Sequence, residues 1–406
     1  SEGAHFVLLG EGEETLDELM DRLTGRSDTP FEEILGLAYL PMGSGKWRVG
    51  SGEWDDNSQF IIHNPRRRDI KNLDALPFPA WDLVDVGRYR EIWQETHGYY
   101  SMNMVTTRGC PYHCNWCAKP IWGQRYNVRS PANVVAELTW LREQFQPDHI
   151  WFADDIVGLK PGWWTQFAAL VETAGVQTPF KCLSRVDLLL RKGDIDALKR
   201  AGCQIVWVGA ESGSQKVLDV MEKGTTVEQI HEARRRLREA GVRVGFFLQF
   251  GYPGETREDI ERTLQLVRDC QPDDIGMSVS YPLPGTKFHE RVKDQLGVKQ
   301  NWLDSNDLAM LYEGPFTTEF YRQLHTVLHK EFRAQRYWNE LKGLLRQPGG
   351  FCKRHLRSTA SMLYHRATLP VARRKLNQLE VRSQRGLNLL TPGMDHEAAA
   401  TPTPQQ

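Results

Sequence analysis

Thr106-Thr107-Arg108-Gly109-Cys110-Pro111-Tyr112-His113-Cys114-Asn115-Trp116-Cys117 sets three thiols at the spacing C-x3-C-x2-C. The apolar stretch before it, Met102 to Val105, reads as a strand end. Three thiolates can hold three irons of a cubane 4Fe–4S cluster, and this spacing supplies no fourth ligand. Iron–sulfur clusters otherwise take a cysteine at every metal, so an open iron is a binding site. Zinc is the competing reading, but it favours four ligands in paired C-x2–4-C units. His113 is a poor fourth ligand because it adjoins Cys114 directly. The remaining cysteines, at 182, 203, 270 and 352, are scattered singly. An odd total of seven argues against a disulfide framework.

The 406 residues leave room for two or three domains. With 51 basic against 52 acidic side chains, the chain has no overall electrostatic pull towards nucleic acid. No apolar run approaches the roughly 18 residues a membrane span needs. Thiols beside such a motif suit a reducing cytoplasm. The chain begins at Ser1 rather than Met and reads as a fragment or a processed product.

Periodicity divides the chain into five parts. Residues 1–63 begin with a short buried strand, Phe6–Leu9, the turn Gly10–Glu14 and an amphipathic helix bearing Leu16, Leu19, Met20 and Leu23. A second apolar run, 34–39, and a Gly-rich turn at 43–45 follow. Residues 64–98 are basic, then Pro-punctuated, and read as a linker. From 99 to 298, β-type runs at 103–107, 149–155, 180–186, 205–211, 242–251 and 274–281 alternate with helical stretches at 131–145, 163–174, 226–240 and 256–270. Ser130 before Pro131, and Thr256 with Asp259 three residues on, are helix-start signals. Such alternation predicts an α/β fold with a parallel sheet, here a partial (β/α)6 TIM-like barrel, with an open doubly wound sheet as the rival. Residues 299–390 read as a helical C-terminal region and 391–406 as a disordered tail. The basic stretch 342–385 reads as a solvated helical appendage, with a membrane-surface or RNA-binding helix as the alternatives.

Each later strand ends in polar residues where a buried strand would stay apolar. The second ends at Asp154 and Asp155, a carboxylate pair whose repulsion would raise one pKa. The third ends Ser184-Arg185, and Arg suits a carboxylate through its bidentate fork. The fourth ends Gly209-Ala210-Glu211-Ser212-Gly213, where Glu211 can hold ribose hydroxyls. The fifth runs into Gly251-Tyr252-Pro253-Gly254-Glu255-Thr256, whose glycines permit close approach to a flat base. The sixth ends in 281–286, Tyr-Pro-Leu-Pro-Gly-Thr. Each alone has a bland explanation as a cap or turn; together they mark one end of the sheet.

The three cysteines, Phe152–Asp155, Gly209–Gly213 followed by Val217, Leu218, Met221, Lys223, Gly224 and Thr225, and Gly251–Thr256 resemble the cobalamin-dependent branch of the radical S-adenosylmethionine (SAM) enzymes. Within it they are most similar to the anaerobic magnesium-protoporphyrin monomethyl ester cyclase type. The resemblance spans roughly residues 1–340 and implies that Cys110, Cys114 and Cys117 bind the cluster. It also implies that the Trp116 backbone, Asp154, Asp155, Ser184, Arg185, Glu211, Gly251, Pro253 and Gly254 surround SAM. Ala153-Asp154-Asp155 departs from the superfamily's usual Gly-Gly-Glu, so the aspartates are a looser correspondence. Phe6–Leu9 and Gly10–Glu14 resemble the last strand and turn of the N-terminal cobalamin domain, the rest of which is missing. Cobalamin is therefore expected of a full-length parent rather than of this chain alone.

The resemblance implies reductive SAM cleavage to a 5′-deoxyadenosyl radical, leading to C-methylation or oxidative cyclisation of a small-molecule substrate. It also implies a flavodoxin- or ferredoxin-type reductant and no nucleic acid. A tRNA methylthiolation enzyme shares some of these segments but needs an earlier cysteine set, and no cysteine precedes Cys110. An electron-transfer protein would need a fourth ligand, for which Cys182 is the candidate. Trp122, Trp151, Trp163, Trp164 and Trp207 suit either a large apolar substrate or simple core filling.

Overall fold

The computed structural model describes residues 4–40, 61–117, 123–297, 308–346 and 353–390. The turn at 43–45, Trp122, Cys352 and the tail 391–406 lie outside them. Two compact units divide the chain, one of residues 1–113 and 118–206, the other of 114–117 and 207–406.

In the first unit, β1 (Phe6–Leu8), β2 (Leu37–Tyr39) and β3 (Ile62–His63) form a small antiparallel sheet with α1 (Glu13–Leu23). Leu19, Phe31, Ile34, Leu37 and Tyr39 are its core. The strand and turn expected here are present, but β1 pairs antiparallel with β2 rather than continuing a parallel series. The expected linker contains a helix, α2 (Val86–His97), capped by the Asp85 side chain and ended by left-handed Gly98. None of its residues is fully buried, and its apolar positions Val86, Tyr89 and Trp93 share one face behind the Pro-punctuated run that reads as linker.

Six strands, β4 (Ser101–Met104), β7 (His149–Phe152), β8 (Phe180–Ser184), β9 (Cys203–Glu211), β10 (Arg243–Phe250) and β11 (Asp274–Val279), lie side by side in that order. The hairpin β5 (Thr107–Arg108) with β6 (Asn127–Val128) is set between the first two in sequence. β4, β7 and β8 pair in parallel in the first unit, and β10 and β11 in the second. β9 runs from one unit into the other. Parallel neighbours require crossovers, supplied by α3 (Pro131–Phe145), α4 (Trp163–Ala174), α5 (Val186–Leu189) with α6 (Asp194–Ala201), α7 (Gln215–Val220) with α8 (Val227–Glu239), and α9 (Arg257–Cys270). The cap signals hold. Ser130 accepts from Asn133 N–H at 3.1 Å, and Thr256 and Asp259 form a reciprocal capping box.

The first β run is shorter than expected because the ladder breaks at Val105 and Thr106. There the N–H groups of Thr106 and Thr107 turn to Asp154. Trp163 and Trp164 are core residues, packed with Phe152, Phe167 and Phe180. Trp151 and Trp207 are half-buried, one under Lys181 at 4.1 Å and the other against Phe247 at 4.7 Å. In the second unit α10 (Lys287–Val292) follows β11, and α11 (Thr318–Arg346) packs antiparallel against α12 (Lys353–Leu390). Gln323 donates to Ala372 O at 3.0 Å and Lys330 to Thr368 at 2.7 Å. No helix among the described residues is long and apolar enough to cross a membrane.

Candidate active site

Parallel strands deliver their C-terminal ends to one edge of a sheet, and the polar residues follow those ends. In the first unit, Asp154 is buried and turned inward. Its carboxylate accepts from Thr106 N–H at 2.7 Å, Thr107 N–H at 2.6 Å and both threonine hydroxyls at 2.9 Å. Burial, rather than repulsion from Asp155, pushes its pKa up to about 6, while the four donors pull the other way. Asp154 therefore braces the chain entering Cys110, and its oxygens are spent on that loop rather than turned towards a cofactor. Asp155 is exposed.

Arg185 is buried, lies 3.6 Å from the centre of the Tyr112 ring and pairs with Asp187 at 3.0 Å. Because Tyr112 stands two residues after Cys110, this cation–π contact steadies the first half of the cysteine loop. Ser184 is buried and donates to Val157 O at 3.2 Å. Arg108, two residues before Cys110, pairs with Glu11 at 3.2 Å and with Glu13. The Gly10–Glu14 turn thus acts as an anion pair for the loop.

In the second unit, Asn115 anchors the other half. Its N–H donates to Met221 O at 3.1 Å, its side chain to Val220 O at 2.7 Å, and its carbonyl oxygen accepts from Phe288 N–H at 3.0 Å. Tyr252, in the turn after β10, donates its hydroxyl to Asn115 Oδ1 at 2.7 Å. Trp116 packs on the cluster of Val217, Met221, Tyr252, Phe288, Val292 and Tyr312. One bond therefore joins the residue between two cysteines to the Gly251–Thr256 turn.

Glu211 adopts a left-handed φ of 57° and pairs with Lys223 at 2.7 Å, both buried. A Cβ at Gly209 would stand 2.4 Å from the Glu211 carboxylate and 2.5 Å from Lys223 Nζ, so only glycine leaves room for the pair. Gly251 (φ 80°) is buried rather than open. Its N–H donates to Glu255 Oε2 at 2.6 Å, its carbonyl accepts from the Tyr312 hydroxyl, and Met310 and Tyr321 close over its Cα. Pro253 is half-buried and Gly254 exposed, so the open edge of this turn is Pro253-Gly254. Glu255 is buried with Oε1 unpartnered, and burial pushes its pKa up to about 8.

Cys110, Cys114 and Cys117 are half-buried thiols, whereas Cys182, Cys203 and Cys270 are buried. Hydrogen bonding to Cys203, with burial, drives the Cys182 thiol well up, which suits a protonated core residue rather than a fourth ligand. Among the described residues no three His, Cys, Asp or Glu side chains converge on one metal ion. A cubane spreads its thiolates over separate irons, and three accessible thiols on a braced loop fit that requirement.

Asn115, Tyr252, Tyr112 and the Thr106–Thr107 pair were not among the residues singled out from sequence as the site. The signal for Asn115 is local: a side chain with both donor and acceptor, set between two cysteines of the motif.

Residues 104–267 match the model of the radical SAM superfamily, so the chain carries a radical SAM domain. Among its relatives, an uncharacterized methyltransferase of Pyrococcus horikoshii is 29% identical over 73% of this chain and 60% of its own length. The anaerobic magnesium-protoporphyrin IX monomethyl ester cyclase of Cereibacter sphaeroides is 27% identical, over 72% of this chain and 45% of its own. The fold is shared with the radical SAM methyltransferase TsrM from Kitasatospora setae, solved with cobalamin and a [4Fe-4S] cluster. That match has a TM-score of 0.54 and 21% identity over 72% of this chain and 54% of that one. OxsB with aqua-cobalamin aligns at a TM-score of 0.57 and 17% identity, over 96% of this chain and 66% of that one. The chain spans about half the length of the curated relatives it matches.

Proposed function

We propose that this protein cleaves SAM reductively at a 4Fe–4S cluster held by Cys110, Cys114 and Cys117. The product radical would serve cobalamin-dependent C-methylation or oxidative cyclisation of a small-molecule substrate. The observation that carries this reading is the partition of the thiols: the three at C-x3-C-x2-C spacing are accessible, and the other described cysteines are buried. When bound, the cluster supplies one electron that breaks the C5′–S bond of SAM, leaving methionine and a 5′-deoxyadenosyl radical that takes a hydrogen atom from a C–H bond.

The chain's own residues have positioning tasks. Pro253 and Gly254 offer an open backbone edge to the adenine, and Glu211, steadied by Lys223, faces the ribose hydroxyls. Arg185 supplies a cation for the SAM carboxylate, with Ser184 and Asp155 beside it in sequence. Asp154 works at one remove, through Thr106 and Thr107. Cobalamin enters the reading from solved neighbours that hold it, and no residue of this chain is assigned to it. The reductant is of the flavodoxin or ferredoxin class, in a reducing compartment such as the cytoplasm.

The test is anaerobic. Protein with a reconstituted cluster is reduced with dithionite, given SAM and assayed for 5′-deoxyadenosine beside Cys114→Ala. Product from the wild type alone is expected. A Cys114→Ala protein that still loads a full cluster and makes product would overturn the assignment.

A further inference from the structure

Helix α12 is apolar on two sides, and α11 covers only one. Met362, Ala372 and Leu376 are buried on the covered side, where Ser358 donates to Glu340 at 3.0 Å. On the other side Leu356, Leu363 and Val371 are 59%, 58% and 71% exposed. Ala360 and Ala367 are exposed as well, and the positions 356, 360, 363, 367 and 371 form one stripe at helical spacing. A helix apolar on both sides is ordinarily covered on both.

Charge says what covers the second. From 353 to 379 the chain has seven Lys and Arg and no Asp or Glu. Arg357, Arg366, Arg374 and Lys375 are exposed and border or extend the stripe. None of these four has an ion-pair partner among the described residues; Arg373 differs in pairing with Glu331. A second copy of the same face would set cations against cations. Nucleic acid would satisfy the cations and leave the leucines in water. An anionic bilayer surface satisfies both, since apolar side chains sink to the acyl boundary while arginines reach the headgroups.

We infer that α12 is a peripheral anchor that lies on an anionic lipid surface, with Leu356, Leu363 and Val371 sunk beneath flanking arginines. The anchor is independent of the chemistry proposed above, because nothing in it involves the cluster loop.

The full chain is floated with vesicles of phosphatidylcholine alone and of phosphatidylcholine with phosphatidylglycerol. Binding to the anionic vesicles only, weakened by salt, is expected. Arg366→Gln with Arg374→Gln removes two cations and should weaken it about thirtyfold. Leu363→Asp should abolish flotation with circular dichroism unchanged. Failure of the wild type to float with phosphatidylglycerol would overturn the anchor, as would equal flotation of the double-arginine variant. A concentration-dependent dimer that Leu363→Asp dissolves would give the face to a second copy instead. Tighter binding to single-stranded RNA than to anionic vesicles would give it to nucleic acid.

Discussion

Cys110 and the Cys114–Cys117 turn are presented by two differently built supports. Ahead of Cys110, four donors from Thr106 and Thr107 converge on the single buried carboxylate of Asp154, and Arg185 stacks on Tyr112 behind it. Around Cys114 and Cys117 a charged acceptor is only peripheral, with the Glu222 carboxylate accepting from the Asn115 side chain at 3.4 Å. Asn115 is pinned by backbone carbonyls and by the Tyr252 hydroxyl over an apolar bed. A charged acceptor concentrates the hold in one side chain, whereas neutral bonds distribute it over several. The first support should therefore fail abruptly and the second by degrees.

Asp154→Ala is the harshest test of that difference. It strands two buried N–H groups and the Thr106 hydroxyl at once, leaving Thr107 its bond to Ile156 O, and should cost about 3–5 kcal/mol in chemical denaturation. Iron content after reconstitution should fall with it, because Cys110 follows the freed segment. Lys223→Met comes next. It leaves Glu211 buried and unpaired at a left-handed backbone position, with a cost of about 3 kcal/mol. The cluster should still load, and SAM affinity measured calorimetrically should drop, which separates the cofactor edge from the cysteine loop.

Much of this was legible in the sequence. The cysteine spacing, the strand–helix alternation and the helix caps at Ser130 and Thr256 are local signals, and each stands where it was read. The partners of the polar residues were not legible, because they depend on contacts distant in sequence. Asp154 meets residues nearly fifty positions away, and Asn115 meets Tyr252 across 137. Gly251 looked like an opening for a ligand, but Met310, Tyr312 and Tyr321 come from far beyond the motif to cover it. Helix α2 escaped because it follows directly on a Pro-punctuated run that reads as linker, although Val86, Tyr89 and Trp93 recur at helical spacing.

Glu255 turns the comparison into a pH experiment. It faces Asp259, Lys216, Tyr312 and Tyr321 from the elements around it, and burial holds its proton up to about pH 8. The folded state thus binds this proton more tightly than the unfolded chain, where the carboxyl has its ordinary value of 4.5. Its contribution to stability is fully present below about pH 4.5, declines as pH rises and is lost above about 8. Glu255→Gln should melt like the wild type near pH 5 and at a higher temperature near pH 9. Parallel melting curves for the two proteins across that range would mean the proton is not held there.

Tyr252→Phe is the mildest change and the one that asks whether the neutral support matters to function. It removes one hydroxyl, leaves the ring packed on Phe288 and should cost about 1 kcal/mol. Asn115 keeps its bonds to Met221, Val220 and Phe288, so the cysteines should still load a full cluster. The hydroxyl nevertheless makes a direct hydrogen bond between the cysteine turn and the Gly251–Thr256 turn, the edge proposed for SAM. Its loss should loosen SAM by about fivefold and shrink the change that SAM makes in the electron paramagnetic resonance spectrum of the reduced cluster. Equal SAM affinity and an unaltered spectral response in Tyr252→Phe would reduce the bond to packing. A shift in the spectrum at full iron content would make it the link through which the cofactor edge and the cysteine turn keep register.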